Sequence, residues 1–161
     1  MIAWLETLSR RLSLGGAYLS SILLILLVIL ILVEIIGRSF FNTSTMIADE
    51  YSGYFYLAAV FLALAFTFHE EGHIRITIVT SRLGHKGRRM MDIFAGAMST
   101  GVMGFVIYYC WLFMVDAHEM EMLSENVSET PLYLTQIPMP LGVGLFLFAF
   151  AVFTLKKVFH R

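Results

Sequence analysis

Apolar residues gather in four runs, at 14–36, 51–68, 93–115 and 137–155, divided by stretches that carry charges, turn formers or both. Each run is close to the roughly 20 residues a helix needs to cross a hydrocarbon core. Backbone amides in lipid must be bonded within their own segment, so the β-branched stretch 22–33 reads as helix in spite of its propensity. The pattern predicts an all-α membrane protein, one integral domain over residues 1–161 with four transmembrane helices. Two flanking segments read as interfacial. In residues 1–13, Ile2, Leu5, Leu8 and Leu12 share a helical face, with Trp4 beside it and Glu6 four residues before Arg10; this predicts a short amphipathic helix on the membrane surface. The stretch 74–83 is β-branched, and because a lone strand would leave unpaired edges, it too is expected to be a surface helix. Ser9-Arg10-Arg11 resembles a twin-arginine export signal, but the apolar run behind it is too long and no Ala-x-Ala site closes it, so the first span is expected to be retained.

Composition narrows the field. With 58% hydrophobic and 14% charged residues, and a mean hydropathy of +0.79, the chain is no ordinary soluble domain. A net charge of −1 gives no basic excess for nucleic acid, which is excluded as a partner. The single cysteine, Cys110, supports neither an internal disulfide nor a thiol relay. What matters is where the charges sit. Ten of the eleven basic residues lie before span one, between spans two and three, or after span four, leaving only Arg38 on the other side. The positive-inside bias then puts both termini in the cytoplasm. Residues 116–136 carry Asp116, Glu119, Glu121, Glu125 and Glu129 with no Lys or Arg, and form the expected acidic outer loop. Tyr51, Tyr54 and Tyr56, with Tyr108, Tyr109 and Trp111, fall toward the same outer interface.

Several groups could carry chemistry. His69-Glu70-Glu71-Gly72-His73 matches the zinc-protease string H-E-x-x-H, in which a helix sets two imidazoles one turn apart and the glutamate activates a metal-bound water. The string lies at a span's end, Gly72 weakens the helix there, and only Asp92 could add a further ligand, so a polar helix end is the plainer reading. No catalytic residue, metal or cofactor is assigned. Glu34 is the one carboxylate inside an apolar run, as in small proton-coupled multidrug exporters, yet it stands four residues before Arg38, where the two can pair. Asp49 and Glu50 open span two, where a helix N-terminus accepts acids as caps. Small residues at Ala59 and Ala63, and at Ala97, Gly101 and Gly104, are expected to let helices approach closely. Pro138 and Pro140, followed by Gly142 and Gly144, predict a bent, tightly packed start to span four.

Taken in order, these parts resemble a known family. A first span ends in Gly37-Arg38-Ser39-Phe40-Phe41-Asn42, the acids Asp49-Glu50 open an aromatic and alanine-rich second span, and Gly72-His73-Ile74-Arg75 follows it. The chain resembles, over nearly its whole length, the small membrane subunit of tripartite ATP-independent periplasmic (TRAP) transporters. The resemblance implies a bacterial inner-membrane system in which a large elevator-type subunit moves an organic acid, such as a dicarboxylate or sialic acid, with sodium. A periplasmic binding protein delivers the cargo, and the small subunit is a non-catalytic scaffold. On that reading Glu34, Arg38, Asp49 and Glu50 belong to the polar outer rim near the subunit junction. Gly72, His73 and Arg75 belong to an inner arm held at the lipid headgroups, and Glu119, Glu121 and Glu125 steer the binding protein. The absence of broken helices, internal repeats and midplane polar clusters agrees with a helper that has no cargo route of its own.

Overall fold

A computed structural model describes residues 2–70 and 84–159. Five helices account for most of them: α1 (Ile2–Phe41), α2 (Ala48–His69), α3 (His85–Glu119), the short α4 (Leu132–Gln136) and α5 (Pro138–Phe159). Four of these, α1, α2, α3 and the α4–α5 stretch, contain segments long and apolar enough to cross a membrane. Among the described residues the only extended pairing is an isolated bridge between Leu123 and Pro131 in the loop between α3 and α4. The expected all-α, four-span architecture is therefore what the chain forms.

One boundary differs from expectation. Residues 2–13 are not a separate surface helix; α1 runs unbroken through them for 40 residues. At 1.5 Å per residue that is about 60 Å, twice a ~30 Å hydrocarbon core. Gly15-Gly16 does not interrupt α1. Gly16 serves as a contact, since a Cβ there would stand 2.6 Å from the Leu62 carbonyl oxygen of α2. The segment 74–83, expected as a second surface helix, lies outside the described residues.

From Ser20 onward α1 shields only Ser20, Leu23, Leu27, Leu30, Glu34 and Gly37, and the buried Ser9, Ser13 and Gly16 extend the same row toward the N-terminus. The spacing alternates between four and three residues. This is the 3.5-residue seam of a left-handed helix pair, made here from small and polar residues at one end and leucines toward the other. Leucines and isoleucines on the remaining faces, such as Ile25 and Leu32, stay exposed. In water such a helix would aggregate; in lipid it needs only the seam.

α2 is the enclosed element. α1 lies along one flank and α5 along another. Gly142 of α5 sits so close to the Phe61 carbonyl that any Cβ would overlap it, so the Phe61–Leu62 turn is gripped between two glycines, Gly16 and Gly142. Ser20 donates to the Ala59 carbonyl at 2.7 Å just beyond. Ala65, Phe146 and Ala149 form the central cluster. Phe68 stacks on Phe150 at 4.3 Å and meets Phe153 edge-on. In contrast, α3 contacts α5 and α4 but neither α1 nor α2. The expected packing residues divide accordingly. Ala59 is fully buried and Ala63 half-buried, whereas Ala97 and Gly101 are exposed, and open space surrounds Gly101 and Gly104. Within this chain α3 approaches α5 through Gly96, whose missing Cβ leaves room for Thr154.

Candidate functional site: polar clusters at the two ends

The polar residues of the helix pack collect at its ends. At the end away from the chain termini, Glu34 is buried on the α1 seam and accepts hydrogen bonds on both carboxylate oxygens. Arg38 Nε donates to Oε1 at 2.7 Å and Ser44 Oγ to the same oxygen at 2.5 Å. The Thr45 hydroxyl and backbone N–H donate to Oε2 at 2.5 and 3.1 Å. The pairing with Arg38 is the one the four-residue spacing predicts. Ser44 and Thr45 were not foreseen; they show that the carboxylate is the core around which the α1–α2 connection folds. That connection uses left-handed backbone at Asn42 and Met46 (φ 49° and 57°), which turns it back toward the helix it has just left.

Glu50 does the same for the loop between α3 and α4. Helix capping was expected of Asp49 and Glu50, but the first turn of α2 has Ile47 at its N-cap and no side-chain cap. Glu50 is instead buried and accepts from Tyr54 Oη at 2.7 Å and Ser128 Oγ at 2.6 Å. Because the Ser128 proton is committed to Glu50, its oxygen must accept from Thr130 at 2.7 Å, and Tyr51 then donates to Thr130 at 3.0 Å. A directed chain of hydroxyls, Tyr51 to Thr130 to Ser128 to Glu50, thus links the start of α2 to a loop 78 residues away. Asp49 is left 89% exposed, 3.8 Å from Arg38 Nη2. Glu119, Glu121 and Glu125 are exposed, and Glu119 and Glu121 border a groove of about 510 Å³ that His118, Leu123, Pro131 and Tyr133 also line.

At the other end the contacts are looser. His69 Nε2 lies 2.9 Å from Ser9 Oγ, Arg10 is 3.5 Å from Glu70, and Lys156 is 2.6 Å from Glu6. These bring α1, α2 and α5 together near both termini. They also bear on the H-E-x-x-H string, because α2 closes at His69 with Glu70 as its C-cap, and the His69 ring is engaged by Ser9. Gly72, His73 and Arg75 lie outside the described residues. No group of three or more potential metal ligands occurs among the described residues.

A pack of four helices long and apolar enough to cross a bilayer, with buried carboxylates that hold its connections in place, has the architecture of a multi-pass membrane protein. The family model for the DctQ component of tripartite ATP-independent periplasmic transporters matches residues 27–160, and the chain belongs to that family. It is thus a component of a TRAP transporter. A comparison with curated proteins returns no match.

Proposed function

We propose that this chain is the static, non-catalytic scaffold of a sodium-coupled importer of organic acids, bracing the large elevator-type subunit in a bacterial inner membrane with both termini cytoplasmic. The carrying observation is the use made of the two buried carboxylates. Glu34 and Glu50 each accept hydrogen bonds on both oxygens from groups of this same chain. A coupling carboxylate must exchange its partners during a cycle, whereas these two fix the loops that leave α1 and return to α2. An elevator needs a wall that does not tilt with it, and loops held by buried, fully engaged acids supply such stiffness.

The test is reconstitution. Liposomes holding this chain alone should show no solute or proton flux. Adding the large membrane subunit and the binding protein should give uptake of a dicarboxylate or sialic acid that collapses with the sodium gradient. Flux from the lone chain would overturn the scaffold role. Arg38, Asp49 and Glu50 are assigned to the rim at the subunit junction, and His73 with Arg75 to the inner anchor. If alanine at each of these left assembly and uptake intact, the assignment would fail. Exposed Glu119, Glu121 and Glu125 are proposed to steer the binding protein by charge, so their reversal to lysine should slow its association most at low salt.

A further inference from the structure

The face of α1 turned away from its seam has an order of its own. On a helix of 3.6 residues per turn, Trp4, Arg11, Gly15, Tyr18 and Ile22 fall within a stripe about 60° wide on the side opposite Ser9, Ser13, Gly16 and Ser20. Trp4, Tyr18 and Ile22 are 65%, 71% and 53% exposed, and Arg11 is exposed as well. Arg10, the neighbouring cation, is held by Glu70, but Arg11 has no carboxylate partner among the described residues. Nothing stands within 4 Å of where a Gly15 Cβ would be, so the stripe has a notch between its cation and its tyrosine. Beyond Tyr18 the exposed positions Ile22, Ile25 and Ile29 are purely aliphatic.

We infer that this stripe is a binding site for one anionic membrane phospholipid. The sequence of chemistry along the helix is that of the lipid itself. The Arg11 guanidinium meets the phosphate, and Trp4 lies about 10 Å further toward the aqueous side. About 10 Å further along, the Tyr18 hydroxyl reaches the ester region. The first acyl methylenes cross the bare backbone at Gly15, with exposed Leu12 and Leu19 beside it, and the chain continues over the isoleucines. Arg11 fits this occupant because a guanidinium offers a planar fork of donors matched to two phosphate oxygens. The ion pairs Arg10–Glu70 and Glu6–Lys156 mark the same level of the helix pack as a polar boundary, where a headgroup lies.

The full-length chain in nanodiscs tests this. Ile25→Trp, made together with Trp4→Phe and Trp111→Phe, leaves one indole beside the path of the acyl chain, since the chain has two tryptophans of its own. Phosphatidylglycerol and phosphatidylcholine brominated on their acyl chains, compared at equal mole fraction, should quench that indole unequally, with roughly fivefold local enrichment of the anionic lipid. Arg11→Gln should bring the two to parity, Arg11→Lys should keep most of the preference, and Gly15→Leu should weaken quenching by both. Excess inorganic phosphate should not displace the lipid, because the acyl contacts are part of the site. Equal quenching in the parent, which requires no further variant, would overturn the inference. So would a preference untouched by Arg11→Gln, displacement by inorganic phosphate, or an indole at position 25 protected from both lipids.

Discussion

The two central spans, α2 and α3, reach the same mean hydropathy in their most apolar windows, and both carry small residues at helical spacing. Their surroundings are opposite. α2 is gripped between Gly16 of α1 and Gly142 of α5, whereas α3 has no buried residue in its apolar window and leaves Gly101 in open space. Hydropathy states that a helix prefers lipid to water. It does not state whether protein or lipid will cover it, because acyl chains are as apolar as leucine. What decides is whether the neighbour offers a matching gap at the same level, as Gly16 and Gly142 do for the Phe61–Leu62 turn.

The sharpest way to break this contrast is one substitution made on both sides. Gly142→Ala places a methyl group against the Phe61 carbonyl, and the helices must part to admit it. Overpacking of that kind should cost about 1–3 kcal/mol. Gly16→Ala should act in the same direction, since its Cβ would meet the Leu62 carbonyl oxygen. Gly101→Ala meets nothing, and should instead stabilise the isolated chain by about 0.5–1 kcal/mol through helix propensity alone. Thermal unfolding in detergent would show the sign. A destabilised Gly101→Ala, or a neutral Gly142→Ala, would contradict the contrast.

Next in size is the tether of α2 to the α3–α4 loop. Ser128→Ala removes the donor to Glu50 and breaks the relay that begins at Tyr51. The expected loss is about 1–2 kcal/mol, with earlier proteolysis in the α3–α4 loop than at any site on α3. Ser128→Thr, which keeps the hydroxyl, should restore most of it. Equal protease resistance in all three proteins would show that the relay does not hold the loop.

The residues behind these effects differ in how readily the sequence exposes them. The spans were legible because apolar runs in lipid have little choice but helix, and Glu34–Arg38 was legible because four residues on a helix is a contact distance. The unbroken α1 was not. Ser9, Ser13, Gly16 and Ser20 continue the leucine seam in register, but small polar residues carry no hydrophobic signal, and Gly15-Gly16 beside two arginines looks like a break. On α3 the true contact, Gly96, is one residue from the expected Ala97, a turn of 100° that small-residue counting cannot resolve. Ser44, Thr45 and Ser128 were invisible because their partners are set by how loops fold back over distances of 10, 11 and 78 residues.

The smallest expected effect lies where α1 meets α5 near the termini. Glu6 and Lys156 form a close pair, but their side chains remain 43% and 45% exposed, so each is solvated when the other is removed. Lys156→Gln should change stability by no more than about 0.5 kcal/mol, a difference that fades as salt is raised. Ser9→Ala offers the comparison a few residues further along the same helix. Ser9 is 1% exposed on the seam, and removing its hydroxyl leaves the half-buried His69 ring without its partner. Its loss should be near 1 kcal/mol and insensitive to salt. If the exposed pair proved the costlier of the two, surface charge rather than the seam would be what fixes the N-terminal part of α1.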